Sequence, residues 1–362
     1  RLKVTMLKQT NLANGIKFFE EENIIAVVSE KPLTTISSAI HNGGYTKTNV
    51  IVNTQITDEY GDVNLHDDPE AFILKTYNKL GLNEDFVGMV TYAMVKDYEL
   101  VSKSNHEANV TVIATAGCTH AESSGELIEF KPIEGTINIM VLIEGNPTDS
   151  CLASTIITAT EAKTAALREL DLRSRWSGDE ATGTITDAIV VAKTGQGPTV
   201  VYGGPASTLG QLVGYCTRKA VKEAVVKAKV GGYSPNRPIA NRLQERQLPI
   251  TKLAAELSKI RSLNADEKTI TNRISSFLEN PSTAALILAS AKLDEDIKKG
   301  LIPVQIKDIN YVSKNFVHSI SNQNCNCIGQ EDKNTTVSEA SQANLPPFLK
   351  ETLLTLLKSP CH

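Results

Sequence analysis

The chain has 362 residues, with 37 Lys and Arg against 41 Asp and Glu, and a formal net charge of −4. This mild acidity excludes a protein organised around nucleic-acid phosphates, because those contacts need a clustered excess of Lys and Arg. Hydrophobic residues make up 41% and charged residues 22%, which is ordinary globular usage and enough for a sizeable core.

No run of residues approaches the ~20 apolar residues of a membrane helix, and the start has no signal-peptide pattern. The six cysteines are scattered without a CxxC pair, which is typical of free thiols in a reducing compartment. We therefore expect a cytoplasmic protein without a membrane span.

Short β-branched runs and Gly/Thr turns fill the first 230 residues. The predicted strands are 23–29, 34–40, 50–56, 86–95, 110–116, 136–144 and 188–193. A tight turn at Lys31-Pro32 would join the first two, and the closeness of the first three favours an antiparallel meander.

Three helices are expected in the same region. They cover 69–80, with Asp67 or Asp68 as cap, then a long segment from Asp149 or Ser150 through Leu170, and finally 209–230. Strands outnumber helices and often follow one another. The pattern predicts an α+β fold with a mixed, largely antiparallel layered sheet and flanking helices, not a strict Rossmann alternation.

The clearest break is the segment 231–238, where two glycines and two prolines cannot continue a helix. We expect domains at 1–230 and 239–362, joined by this linker. The second domain is predicted to be smaller and all-helical, with apolar residues at helical spacing in 241–248, 250–260, 266–278, 283–299 and 346–357. The polar stretch 319–343 is expected to be a loop or disordered.

The usual catalytic motifs are absent from the sequence: it has no P-loop, no GxSxG and no HExxH. Cys325 and Cys327, with His318 nearby, form a weak zinc pattern, since CxC spacing in a polar segment has little specificity.

Four small, polar, glycine-bearing turns at 37–44, 114–120, 134–138 and 181–187 each adjoin a predicted strand. Strand ends commonly gather ligand sites, and glycine lets backbone N–H groups approach a substrate. Tight turns without a ligand are the alternative. The substrate-binding candidates in these turns are Asn42, Gly43, Gly44, Thr115, Gly117, His120, Asn138 and Gly183.

Two carboxylates are candidates for general base chemistry. In the long helix, Thr158, Glu161 and Ala162 share a face of small residues, so Glu161 is predicted to face a packed neighbour, with Lys163 on another face. Asp187 directly precedes a buried strand. A solvated Glu161 and a turn carboxylate at Asp187 are the alternatives.

Several strings resemble the adenosylcobinamide amidohydrolase family of corrinoid salvage. The most specific are TATEAKTAAL at 158–167 and ATGTITDAIVVA at 181–192. The others, in the family's order, are SSAIHNGG at 37–44, GMVTYAMV at 88–95, IATAG at 113–117 and GTINI at 135–139.

This resemblance implies hydrolysis of the amide that joins the aminopropanol arm to the corrin ring, giving adenosylcobyric acid. We expect water attack assisted by Glu161 or Asp187, with donors from Asn138 and the turn Thr182-Gly-Thr184. Lys163 would stabilise developing charge or bind a substrate amide, and Thr182 or Thr184 acting as a covalent nucleophile is the alternative mechanism. His120 departs from the family's pattern, and its role is left open.

The second domain resembles, less specifically, α-ribazole-phosphate phosphatases related to phosphatidylglycerophosphatase A, which are fused to the amidohydrolase in some archaea. The matching residues lie between 240 and 305. Such an enzyme would hold a divalent ion such as Mg²⁺ with carboxylates. Asp294 is a candidate ligand, but its expected acidic companions are missing, which favours a degenerate, structural domain.

Three functions follow as hypotheses: an amidohydrolase, a corrinoid-binding protein without turnover, and a phosphatase located in the second domain. The expected partner is a small corrinoid substrate, with no nucleic acid. No cofactor is certain apart from possible Mg²⁺ in the second domain, and the oligomeric state is left open.

Overall fold

The computed structural model describes residues 8–57, 69–79, 85–128, 135–229, 232–303 and 343–358. The chain divides into two units, 1–235 and 236–362. No helix in these described stretches combines the length and the apolar content that a membrane crossing requires.

Strands dominate the described part of the first unit. They are β1 (Lys8–Ala13), β2 (Ile16–Glu21), β3 (Ile24–Ser37), β4 (Gly44–Gln55), β5 (Phe86–Thr91), β6 (Glu99–Ser104), β7 (Asn109–Gly117), β8 (Ala121–Glu122), β9 (Thr136–Glu144), β10 (Asn146–Pro147), β11 (Gly183–Thr184), β12 (Ala188–Lys193) and β13 (Thr199–Val200). The helices are α1 (Pro69–Lys79), α2 (Asp149–Glu169) and α3 (Thr208–Lys227), with a 3-10 turn at Val95–Asp97.

The main sheet has the order β1-β2-β3-β12-β9-β7-β6, and β4 joins β3 to β5. Most neighbours are antiparallel, and two pairs, β12 with β9 and β4 with β5, are parallel. The predicted α+β class with a mixed, largely antiparallel sheet is confirmed.

Strand β3 runs through the position where a turn was expected, so the prediction of a turn at Lys31-Pro32 is wrong. The two segments form one 14-residue strand whose register against β4 shifts between Val28 and Leu33. Proline has no N–H to donate, and a break in the ladder is where a strand tolerates it. The bulge lets β3 pair with β2 along its first half and with β12 along its second.

Alternating side chains of the sheet pack into three apolar clusters in the described part of the first unit. One face of β7 and β9, including Val112 and Ile139, packs against α2 and α3. The opposite face, including Ile113 and Met140, packs against residues of β2 to β5. Helix α1 covers the outer side of β4 and β5 through Phe72 and its neighbours.

The N-cap of helix α2 lies one residue before the first expected cap. The side chain of Thr148 accepts the N–H of Cys151, so neither Asp149 nor Ser150 is the cap. The caps expected for α1, Asp67 and Asp68, lie outside the described residues.

The described residues of the second unit form helices around one apolar cluster. These helices are α4 (Ile239–Glu245), α5 (Ile250–Ser258), α6 (Glu267–Glu279), α7 (Pro281–Lys298) and α8 (Pro347–Lys358). Their bounds agree with the predicted segments to within about three residues because each helix has a clear apolar stripe. Most of the stretch 319–343 lies outside the described residues.

Candidate active site

A buried ion pair joins the two most specific strings of the sequence. Lys163 on α2 donates from Nζ to Oδ2 of Asp187, the residue that precedes β12. The side chains are 9% and 12% exposed. Such a pair holds its geometry because leaving either charge buried alone is costly.

Asp187 accepts four hydrogen bonds. Oδ1 accepts the N–H of Ile137 at 2.9 Å and the hydroxyl of Thr184. Oδ2 accepts the N–H of Thr184 at 3.1 Å together with Lys163. A carboxylate has about four lone-pair sites, so both oxygens are fully used within the protein.

Gly183 makes room for this pair. A Cβ at position 183 would lie 2.5 Å from Oδ2 of Asp187 and 2.8 Å from Nζ of Lys163. The neighbouring threonine, Thr182, is turned away: its hydroxyl donates to Oγ of Ser124 at 3.0 Å and accepts the Ser124 N–H at 2.9 Å. Of the two threonines predicted here, only Thr184 contacts Asp187 among the contacts described.

A second pair of hydroxyls lies beside this turn, at residues that the sequence analysis did not select. Oγ1 of Thr136 is 2.7 Å from Oγ1 of Thr186, which donates to the carbonyl of Gly135 at 3.0 Å. A Cβ on Gly135 would lie 2.9 Å from the carbonyl of His120 and 3.4 Å from Cβ of Thr184. The glycine and the main chain of His120 therefore border the Thr184 turn.

Cys118 lies next to Gly117 at the end of β7, fully buried near the ion pair. Burial raises the pKa of its thiol, and the negative charge of Asp187 raises it further, against the opposing charge of Lys163. The thiol stays protonated, and the structure gives no support to a cysteine nucleophile here.

Thr115 and Asn138 point to the opposite face of the sheet from Asp187. Nδ2 of Asn138 donates to Oδ1 of Asn53 and to the carbonyl of Val90, both at 2.8 Å, and Asn53 donates to Thr115 at 2.9 Å. All three polar side chains are 1% exposed, and Oδ1 of Asn138 has no hydrogen-bond partner among the described residues. The alternation of β9 separates this amide cluster from the ion pair.

The turn after β3 carries a histidine that the sequence analysis did not select. Nδ1 of His41 lies 2.6 Å from Oε1 of Glu70, and Nε2 lies 3.0 Å from Nδ2 of Asn42. The ring packs on Phe86 with centroids 4.4 Å apart. A pairing of residues 29 apart follows no local sequence rule, so only the fold reveals it.

The predicted binding residues of this turn have conformational roles. Asn42 has a φ of 51° and donates to the carbonyl of Phe86 at 2.9 Å. A Cβ on Gly43 would strike the carbonyl of Ala39, and Gly44 has a φ of 80°. These glycines allow the tight return of the chain into β4.

The four turns lie along one edge of the sheet, the one where β3 and β7 end and β12 and β9 begin. These four strands are successive neighbours. The N–H of Ser38 donates to the carbonyl of Ile189, and its hydroxyl accepts the Ile189 N–H, both at 3.0 Å. The segment that leads to His41 therefore leaves β3 opposite Ile189, which follows Asp187 by two residues in the chain. The structure brings the four turns to one edge but divides their side chains between two faces.

Glu161 is exposed on α2, contrary to the expected packing. The buried stripe of this helix contains Ala159 and Ala166, and Lys163 stands four and three residues from them. The helix is thus rotated so that Lys163, not Glu161, faces the sheet.

The candidate metal ligands lie in different parts of the chain. His318, Cys325 and Cys327 lie outside the described residues. Within the described ranges, no group of three or more His, Cys, Asp or Glu residues is placed to hold a metal ion. Asp294, a candidate Mg²⁺ ligand, accepts the N–H groups of Phe348 and Leu349, each at 2.8 Å, and so caps α8.

The sequence profile described as CbiZ, adenosylcobinamide amidohydrolase, matches residues 9–231. The chain belongs to the adenosylcobinamide amidohydrolase family. This confirms the resemblance for the first unit. The match ends at residue 231, and the phosphatase-like character of the second unit stays a prediction.

Two curated relatives match the chain, and one of them carries the family's name. An adenosylcobinamide amidohydrolase of Methanosarcina mazei is 31% identical over 196 residues, which are 53% of this chain and 86% of that protein. An uncharacterised protein of Methanocaldococcus jannaschii is 33% identical over 171 residues, 41% of this chain and 67% of that protein. Among solved structures, a Burkholderia sp. beta-aminopeptidase aligns over 66% of this chain and 90% of its own with 12% identity and a TM-score of 0.31, too low to carry an argument.

Proposed function

We propose that this adenosylcobinamide amidohydrolase family member hydrolyses the amide between the corrin ring and the aminopropanol arm of adenosylcobinamide. The products are adenosylcobyric acid and aminopropanol. The reaction is one hydrolytic step: water adds to the amide carbon, the carbon–nitrogen bond breaks, and the amine leaves with a proton.

One observation carries this proposal. The two strings that give the resemblance its specificity, 158–167 and 181–192, meet in a single buried ion pair, Lys163 with Asp187. A charged pair held by backbone N–H groups next to glycine turns is a pre-organised site of the kind that stabilises developing charge.

The contacts of Asp187 favour a positioning role. Each of its two carboxylate oxygens already accepts two hydrogen bonds. Asp187 therefore fixes the Gly183-Thr184 turn and orients the Thr184 hydroxyl toward itself. The proposal therefore keeps water as the nucleophile. Thr184 as a covalent nucleophile is the competing route, and it would require Asp187 to take the hydroxyl proton.

The substrate side of the site is proposed at the open edge of the turns. Thr184 is partly exposed and Thr186 is exposed. Their hydroxyls and the nearby main chain of His120 can bond the amides that fringe a corrin ring. The amide cluster around Asn138 would support this edge from the opposite face of the sheet.

The test incubates the full chain with adenosylcobinamide, with and without divalent metal and chelator, and separates the products by chromatography with mass detection. We expect adenosylcobyric acid and aminopropanol in equal amounts. Unchanged substrate with a perturbed corrin spectrum would support a binding protein without turnover, and no binding would overturn the proposal.

Variants then locate the chemistry. Asp187→Asn is expected to lower kcat by at least about 100-fold, in the range found for groups that organise charge stabilisation. The control is Glu169→Gln on α2, the helix that carries Lys163; the carboxylate of Glu169 pairs with Arg218 and Lys222 at the surface. A covalent adduct on Thr184 trapped with substrate would favour the competing route.

The second unit is not assigned an activity. Release of phosphate from α-ribazole phosphate by the full chain with Mg²⁺ would support the phosphatase prediction. Absence of release would favour the prediction of a degenerate, structural unit.

A further inference from the structure

The hydrolysis proposed above needs a group that accepts a proton from water, and the two carboxylates suggested by the sequence are poorly placed. Asp187 has no lone-pair site left for a water. Glu161 stands in solvent on the outer side of α2. A basic group elsewhere on the edge is required, and the inference below rests on the proposed function.

His41 has the hydrogen bonding of such a group. A carboxylate accepts and does not donate, so the 2.6 Å contact with Glu70 assigns the ring proton to Nδ1. The amide nitrogen of Asn42 donates and does not accept, so the 3.0 Å contact assigns a lone pair to Nε2. Its neighbours thus fix the neutral tautomer with a basic Nε2.

Backbone hydrogen bonds and ring packing hold the imidazole of His41 in place. The backbone of His41 exchanges two hydrogen bonds with Gly88, at 3.1 and 3.0 Å. The ring packs on Phe86 at an interplanar angle of 32°, and Phe86 stacks on Tyr77 with centroids 3.6 Å apart. The side chain of His41 is 13% exposed, so the imidazole is held in one orientation while it keeps contact with solvent.

The position of His41 links it to the amide cluster, at the end of the strands where the ion pair also lies. Gly88 bonds His41 and, two residues on, the carbonyl of Val90 accepts from Asn138. Residues two apart on a strand direct their backbone groups to the same side and lie about 7 Å apart. His41 and the amide cluster therefore share one edge of β5, and the segment that carries His41 leaves the sheet beside the strand that Asp187 precedes.

We propose that His41, oriented by Glu70, is the general base and then the general acid of the hydrolysis. Nε2 takes a proton from water as the water oxygen bonds to the amide carbon. When the carbon–nitrogen bond breaks, Nε2 gives that proton to the departing amine. One water is consumed, an acid and an amine form, and His41 returns to its neutral state. The Asn42 side chain is exposed, and in the proposed step the water replaces it at Nε2.

The experiment compares His41→Ala with His106→Ala in the full chain. His106 is a matched control because it also faces a glutamate, Glu107 at 3.9 Å, but its side chain is 81% exposed on a distant turn. We expect His41→Ala to lower kcat about 10²–10⁴-fold, the usual contribution of a positioned acid–base group, with little change in KM. His106→Ala should equal the wild type.

Added imidazole separates a chemical role from a structural one. It should restore part of the activity of His41→Ala in a concentration-dependent way, since it can occupy the space left by the ring. Glu70→Gln tests the positioning residue and should lower kcat with KM unchanged. His41→Gln keeps bulk at the position and, if it retains corrinoid binding without turnover, excludes a folding defect.

The outcomes are distinguishable. If the wild type leaves adenosylcobinamide intact, the proposed function fails. If the wild type turns over and His41→Ala matches it, the role of His41 is overturned alone. A third variant, His120→Ala, tests the other histidine of this edge. The role of His41 is also overturned if imidazole does not restore activity to an inactive His41→Ala but does restore it to His120→Ala.

Discussion

Asp187 in the first unit and Asp294 in the second are both aspartates that the sequence marks for chemistry, and both are largely buried. Their partners differ. Asp187 faces the ammonium of Lys163 and the hydroxyl of Thr184, at a turn whose threonines reach solvent. Asp294 faces two backbone N–H groups under α8 and is sealed by the helix it caps.

The comparison shows that burial alone does not identify a functional carboxylate. A cation and a hydroxyl can take part in binding or proton transfer, whereas backbone N–H groups at a helix start only hold that helix. Burial raises the pKa of Asp294, although the N–H groups of Leu349 and Phe348 and the charge of Lys350 oppose this. We therefore expect the two residues to respond differently when their partners or their charge are changed.

The largest effect is expected from Lys163→Met, which leaves the Asp187 carboxylate buried without its cation. Breaking a buried pair costs about 3–5 kcal/mol, and restoring neutrality with Asp187→Asn in the same chain should recover part of it. Urea unfolding followed by the fluorescence of Trp176, the chain's single tryptophan, reports on the first unit.

The control for that change is Lys222→Met, which breaks an exposed pair with Glu169. We expect this change to lower the free energy of unfolding by about 0–1 kcal/mol. Equal losses for Lys163→Met and Lys222→Met would mean that the buried pair is no more important than a surface pair.

A smaller loss is expected from Gly183→Ala, because the new methyl group would push against both members of the ion pair. Overpacking of this kind costs about 1–3 kcal/mol, and kcat should fall as the pair is displaced. Gly204→Ala is the matched change, since a Cβ there meets nothing within 4 Å. Wild-type activity in Gly183→Ala would contradict the importance of the pair.

Asp294→Asn tests the other carboxylate through pH. A raised folded-state pKa means that the contribution of the carboxyl to stability is full below its ordinary value and is lost as pH rises through the folded value. The wild type should therefore gain stability relative to Asp294→Asn on moving from pH 7 to about pH 4. Thermal unfolding by circular dichroism checks this, and a difference that does not vary with pH would refute it.

The smallest effect is expected from Glu161→Gln. This residue of α2 is exposed. Its carboxylate is not buried as that of Asp187 is, and it does not cap a helix as that of Asp294 does. Stability should change by less than about 0.5 kcal/mol, and kcat should stay within twofold of the wild type. A loss of turnover with intact corrinoid binding would return Glu161 to the reaction.

The sequence predicts regular elements well where one periodicity dominates. Residues 136–144 and 188–193 agree with β9 and β12 because unbroken apolar runs of this length are typical of buried strands. The hairpin of β1 and β2 was missed, although Asn14-Gly15 between them is a turn signal and Gly15 has a φ of 75°.

The site was harder to predict than the strands. The strings pointed to the right turns, but the face of a helix is decided by its neighbours, and small residues surround both Glu161 and Lys163. Strand alternation then sends Asn138 and Asp187 to opposite faces. The pairing of His41 with Glu70 depends on where α1 packs, which no local pattern encodes.

The two-sided pairing of β3 also has a consequence for synthesis on the ribosome. The second half of β3 has both of its neighbours only after β12 has been synthesised. Ser38, directly after the end of β3, bonds Ile189, which lies 151 residues later in the chain. At about 5–20 residues per second, the wait is roughly 8–30 s. During this time the second half of β3 has a free edge toward β12, a site at which nascent chains can pair wrongly and at which a chaperone would be most useful.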